Sequence, residues 1–294
     1  MSVRVHVSCG FVDEATLVEL VGPIERLRFD GVTLPDHVFL PDAGPGTYPY
    51  SADGKPPFRP QTPWPDPLVM AGAIGARTTR LLVSTIVYVL PARNPLLVAK
   101  AAATAARLLD GRFVLGVGVG WQREEFDALG VDFHRRGALA DEAIGVLREL
   151  WRPGVTEHDG PGYRFGPLLM EPTPPAIPII VGGASDAAIR RAALLGDGYV
   201  LPSQPLAGVP AQLERVRRAL DAADRDPQGF RVIVPCVGAG AQDIASILDP
   251  LVTDVVVMPW AHPGKVDTTL DEKVEALSAW VTSTMEAVRM GVRS

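Results

Sequence analysis

Eight short runs of aliphatic and β-branched residues recur along the 294-residue chain, and each is followed by a segment whose apolar side chains fall at helical spacing. The runs lie at 3–7, 31–34, 81–87, 113–117, 177–181, 197–201, 230–234 and 254–258. Segments this short and this apolar suit strands buried on both faces, which a parallel sheet covered by helices requires. The intervening helices carry their own start signals. Asp13-Glu14 precedes the pattern Leu17, Leu20, Val21, Ile24; Asp66 opens a helix to Ala76; an alanine-rich helix follows Asn94-Pro95 and runs to Leu109. Further helical patterns begin at Glu124-Glu125, cover 139–151, end at Leu195, and span about 210–223, 244–251 and 271–288.

The alternation continues to the end of the chain with no second compositional block. It therefore predicts one domain, 1–294, folded as a (β/α)8 TIM barrel, with a doubly wound open sheet as the alternative that the same pattern allows. Two connections break the rhythm: 39–65 after strand 2 and 152–175 before strand 5, both read as irregular insertions. The first is too long for an ordinary βα loop and carries Tyr48, Tyr50, Phe58 and Trp64, which favours a lid.

Composition narrows the function. With 28 basic and 34 acidic residues the net charge is −6, and no stripe of Lys or Arg is present, which excludes nucleic acid as an expected partner. Cys9 and Cys236 lie far apart with no metal-type spacing, so neither a disulfide framework nor a zinc site is signalled. The N-terminus lacks the apolar stretch of a signal peptide and no run approaches the length of a membrane span. A soluble, cytoplasmic protein without a membrane partner is the expectation.

Chemistry in such barrels sits at the carboxyl ends of the strands. Position alone then nominates Ser8-Cys9, Asp36-His37, Thr85-Ile86-Val87, 118–121, 182–185, Ser203, Cys236, and Trp260 with His262. In Gly116-Val117-Gly118-Val119-Gly120-Trp121 a buried strand runs into bare backbone and then an aromatic, the makings of a cofactor seat. It is not a dinucleotide fingerprint, which would need glycine at Trp121. Gly182-Gly183-Ala184-Ser185 joins a strand to a helix N-terminus, where amides and the helix dipole favour a phosphate; a plain turn capped by Ser185 or Asp186 is the other reading. His37 is the side chain best suited to carry a proton near neutral pH, although an isolated Asp-His pair can equally be a turn. His6 lies mid-strand and reads as an interior histidine. The absence of HExxH and of His-x-His on strand 1 disfavours a metal-dependent hydrolase.

At these residues the chain resembles the luciferase-like monooxygenase superfamily, and more closely its oxidoreductases that use the deazaflavin coenzyme F420. The matching pieces run in order from Leu34-Pro35-Asp36-His37 through Leu90-Pro91-Ala92-Arg93-Asn94-Pro95, Gly111-Arg112-Phe113, Leu115 to Trp121 and Glu124-Glu125-Phe126 to Val181-Gly182-Gly183 and Gly196-Asp197-Gly198. The resemblance implies that Val119, Gly120 and Trp121 line the cofactor, that its phosphate lies near Gly182, Gly183, Ala184 and Ser185, and that a bulge with a non-prolyl cis peptide near Ile86-Val87 backs the ring. It further implies Thr85 as a hydrogen-bonding wall, and Asp36 and His37 beside the ring edge as the catalytic pair. Ile86 stands where a smaller residue is common. The implied activity is hydride transfer between F420 and a small organic substrate, in a homodimer. An FMN-dependent monooxygenase served by a separate reductase shares every one of these motifs, and a non-catalytic flavin-binding barrel would share most.

Overall fold

A computed structural model describes residues 3–42, 44, 46–51, 53–261 and 268–290. His262, one of the strand-end candidates, lies outside the described residues. Eight strands form the barrel: Arg4–Ser8, Gly31–Leu34, Leu82–Thr85, Phe113–Gly118, Ile179–Gly182, Gly198–Val200, Arg231–Pro235 and Asp254–Val257, numbered 1 to 8 below. Each pairs in parallel with the next, and strand 8 returns to strand 1 with Arg4 opposite Asp254, which closes the cylinder. The (β/α)8 architecture predicted from the alternation is therefore the one adopted, and the open sheet is not.

Local chemistry explains where helices begin. Asp13, Asp66, Asn94 and Ser185 each accept a hydrogen bond from a first-turn amide of the helices Glu14–Arg26, Pro67–Arg77, Pro95–Leu108 and Asp186–Leu195. Such caps stabilise a helix start by about 1 kcal/mol apiece. Alternation along the strands then separates two layers. Val5, Val7, Val32, Val83, Leu115, Ile179 and Val255 point outward into the large core shared with the helices. Val114, Ile180, Val200, Ile233 and Val256 point inward and fill the barrel from strands 4 to 8. His6, Thr33 and Ser84, all buried, take the inward positions of strands 1 to 3, so one half of the interior is polar.

Strand 3 does not end at Thr85. Tyr88–Val89 resumes the ladder against Val117 and Gly118. Ser84 faces Val114 and Tyr88 faces Val117, so four steps on one strand span three on the other, which defines a bulge at Ile86-Val87. The Ile86-Val87 peptide is cis, as the resemblance implied, despite the larger residue at 86. Gly116 makes this approach possible: a Cβ there would lie 2.0 Å from the Thr85 carbonyl oxygen.

Three expectations need correction. The segment 152–175 is not irregular, because Val155–Asp159 and Arg164–Leu169 form an antiparallel hairpin outside the barrel sheet. Its strands alternate exposed and half-buried residues, a weak two-sided pattern that the polar run of sequence conceals. The helix read at 244–251 is a short one, Ala241–Ala245. The closing helix covers Leu270–Trp280 and then passes through a π-helical stretch, Val281–Met285, before Glu286–Met290.

The amino-end floor of the barrel is a charged cluster. Asp254, fully buried, accepts from Arg4 and Arg231 and sits 2.7 Å from His6 Nε2. Burial alone would raise its carboxyl; the His6 hydrogen bond and the Arg231 charge outweigh it and hold the group well below the usual carboxylate range.

Candidate active site

At the opposite end, the carboxyl ends of the strands open into a cavity of about 670 Å³. That is room for a bound cofactor ring together with a small substrate. Its wall contains Asp36, His37, Ile86, Val87, Val119, Gly120, Trp121, Gly182 and Gly183, which brings together nine of the residues nominated from sequence. Ser8, Ser203 and Trp260 join them from strand ends 1, 6 and 8.

His37 is buried, and its Nδ1 lies 3.0 Å from Oε2 of Glu125, a carboxylate only 1% exposed. The other oxygen of Glu125 accepts the Val38 amide at 2.6 Å. Glu125 rides on the short helix Arg123–Ala128 that follows strand 4, so the pair joins strand ends 2 and 4 across the intervening strand. Around the imidazole Trp64, at 4.7 Å between centroids, and Trp121, at 5.5 Å, stand edge-on, and Phe58 lies tilted at 6.0 Å. Tyr48 completes the ring against Trp121 and Phe58. Tyr48, Phe58 and Trp64 all come from the 39–65 connection, which therefore folds back over the cavity. Burial, with Tyr50 beside it, pushes the Tyr48 phenol up to about 12, so this side chain is neutral near pH 7.

Asp36 has a different occupation. Both its oxygens accept from Arg93 at 2.7 Å, and Oδ2 also accepts the Val89 amide at 2.8 Å. Burial pushes its carboxyl up, against the pull of Arg93 and the Val89 amide, while Asp36 in turn holds the Arg93 guanidinium more firmly protonated. A bidentate fork of this kind is a brace between strand end 2 and the resumed part of strand 3. It occupies the carboxylate on which the sequence placed a catalytic role.

Five nominated residues among those described do not line the cavity. Thr85 is completely buried and donates its hydroxyl to the Gly116 carbonyl at 2.7 Å, tying the bulge to strand 4. Ala184 and Ser185 lie just beyond the wall, where the Ser185 hydroxyl accepts from the Ala188 amide as the helix cap. Beneath this turn Tyr199 donates to the Gly183 carbonyl at 2.5 Å, Gln212 donates to Tyr199, and Arg215 reaches Gln212, the Ala184 carbonyl and Asp186. Gly182 itself admits no side chain: a Cβ would lie 2.6 Å from Val87 Cγ1 and 2.8 Å from Val200 Cγ1. The two cysteines are inert. Cys9 and Cys236 are buried away from the cavity wall, bonded to carbonyls of their own strands, and burial pushes each thiol up to about 12. Among the described residues no group of three or more His, Cys, Asp or Glu side chains forms a metal-ligand set.

Sequence reasoning passed over the roles of Glu125 and Arg93, although both sit in the motifs quoted for the resemblance. The only signal available was a carboxylate and a guanidinium beside strand ends, and pairing across 88 and 57 residues is a tertiary fact. Lys273, a buried cavity residue whose ammonium donates to the Thr268 carbonyl, gave no signal at all in its amphipathic helix.

The luciferase-like monooxygenase family model matches residues 10–282, and the chain belongs to that family. Membership makes it a cofactor-dependent oxidoreductase. An uncharacterised protein of Mycobacterium tuberculosis (strain ATCC 25618 / H37Rv) is 34% identical over 249 residues, covering 84% of this chain and 86% of its own. An F420-dependent glucose-6-phosphate dehydrogenase of Mycobacterium avium (strain 104) is 33% identical over 193 residues, 64% of this chain and 53% of that one. Among solved structures, an F420-dependent secondary alcohol dehydrogenase in complex with an F420-acetone adduct superposes with a TM-score of 0.76 at 14% identity, over 98% of this chain and 100% of that one, a likeness of fold. No helix among the described residues is long and apolar enough to cross a membrane.

Proposed function

We propose that the protein transfers a hydride between coenzyme F420 and a small organic substrate held beneath the aromatic connection 39–65. The observation that carries this reading is a bare-backbone wall, Gly118 to Gly120 and Gly182-Gly183, facing the Ile86-Val87 bulge beside a buried His37. Val87 occupies the space that side chains on Gly118 and Gly182 would need, so these glycines let the bulge sit close enough to the strand ends to back a flat ring. When bound, the deazaflavin supplies the carbon that accepts or gives the hydride.

The chain's own residues do the rest. Ile86 and Val87 would back the ring, and Val119, Gly120 and Trp121 would flank it. Gly182, Gly183, Ala184 and Ser185 lead to the amino end of the helix Asp186–Leu195, whose leading amides and dipole suit the cofactor phosphate. His37 moves the proton that accompanies the hydride. Asp36 braces the site through Arg93, and Thr85 braces the bulge; neither is assigned proton transfer. Phe58, Trp64 and Tyr48 keep water from the reacting atoms.

The relatives named as F420-dependent support the deazaflavin over FMN. The family's monooxygenase description supports the second reading, an FMN enzyme supplied by a separate reductase. Fluorescence titration with F420 and FMN, each oxidised and reduced, separates them. Tight binding of F420 alone is expected. Preference for reduced FMN would transfer the reading to oxygen chemistry, and saturable binding without redox turnover of any donor would leave a flavin-binding barrel.

A further inference from the structure

We propose that Glu125 is the positioning residue of the site, fixing which nitrogen of His37 carries a proton and anchoring the root of the aromatic cover with the same carboxylate. The proposal rests on His37 being the proton carrier. A carboxylate with both oxygens engaged at 3.0 and 2.6 Å and almost no exposure is an acceptor only while ionised. With Glu125 taken as a carboxylate accepting at both oxygens, His37 Nδ1 is in this proposal the donor, and Nε2 is left for a substrate in the cavity. Whether Nε2 takes a proton or gives one up, the Nδ1 bond to Glu125 survives and keeps the ring oriented. The charged groups facing His37 are Glu125 and, from the adjoining residue, Asp36 with its Arg93 partner.

The second oxygen extends the device. Val38 is the first residue beyond His37 toward the cover, and Phe39 is held by Gln122, one turn before Glu125, through a 2.9 Å bond to its carbonyl. Gln122 and Glu125 thus grip 37–39 from one helix start. Orientation of the imidazole and closure of the aromatic cover share a single anchor, so neither can shift alone.

Replacing Glu125 by Gln creates a defined conflict. An amide that still accepts from Val38 turns its NH2 toward His37 Nδ1 and forces the proton onto Nε2. The test is nitrogen NMR of histidine-labelled protein without cofactor; the chain has five histidines, and His37→Ala assigns the signal. Wild-type His37 should be protonated on Nδ1 when neutral. In Glu125→Gln the proton should move to Nε2, and Val38 amide exchange should quicken as the carboxylate acceptor becomes a weaker amide oxygen. Glu125→Asp, which keeps the charge, should retain the wild-type tautomer. In turnover, Glu125→Gln should lose about 10²–10⁴-fold in kcat with cofactor Kd unchanged, the cost of a wrong tautomer. An Nε2-protonated His37 in the wild type, or an unmoved tautomer in Glu125→Gln, overturns the proposal. Either result would leave the F420 titration, and the reading built on it, standing.

Discussion

Among the described residues, a buried histidine meets a buried carboxylate at each end of the barrel. At the floor, buried His6 meets buried Asp254; at the mouth, buried His37 meets buried Glu125. What differs is the company. Asp254 is shared by Arg4 and Arg231, and the side of His6 away from it abuts strand 2, where a Cβ on Gly31 would come within 2.6 Å of Nδ1. Glu125 serves His37 and a backbone amide, and the imidazole borders a cavity of about 670 Å³ walled by aromatics and bare backbone. A buried histidine-carboxylate pair is thus no sign of catalysis by itself. Access of its second nitrogen to a space that can hold a ligand is what separates a fastening from a reagent.

Substitutions can break this contrast. His37→Ala should lower kcat by about 10²–10⁴-fold, the range expected for a lost proton carrier, with little change in cofactor Kd. Steady-state kinetics beside a cofactor titration checks this, and undiminished turnover would remove His37 from the mechanism. His6 lies away from the cavity, so the equivalent test at the floor is one of stability. Asp254→Asn leaves two guanidiniums without their shared carboxylate and should cost about 3–5 kcal/mol in denaturant unfolding at pH 7. Because the folded Asp254 carboxyl is depressed, its contribution is fully present above the unfolded value near 3.9 and fades as the pH falls toward the folded one. The gap between wild type and Asp254→Asn should therefore narrow at pH 3, and a constant gap would deny the charge its role.

A third substitution sharpens the mouth. Gly182→Ala crowds Val87 and Val200, an overpacking of about 1–3 kcal/mol, and should weaken cofactor binding by about tenfold as the bulge is displaced. Unchanged affinity would mean the ring does not rest there. The smallest effect belongs to Cys236→Ala, which removes a buried thiol away from the cavity wall. It should leave turnover within about twofold and cost on the order of 1 kcal/mol of stability, measured by activity and thermal unfolding.

The sequence by itself determined the barrel, because eight aliphatic runs alternating with capped helical segments leave few ways to bury both faces of every strand. It determined most of the cavity wall as well, since barrel chemistry gathers at strand ends and the glycines at 116–120 and 182–183 mark where backbone must be bare. Even the cis bulge at Ile86-Val87 was legible through the family pattern. Hidden in it were the partnerships. That Asp36 is spent on Arg93, that Thr85 and Ser185 are occupied by backbone partners, that Glu125 stands behind His37, and that 152–175 folds into a hairpin all depend on contacts between residues distant in the chain. Periodicity records which face of an element is apolar; it carries no information about which polar group will be found opposite another. Only the parallel pairing of strands 2, 3 and 4 in order, by setting strand 2 and strand 4 two places apart and pointing the same way, decided that His37 and Glu125 would meet.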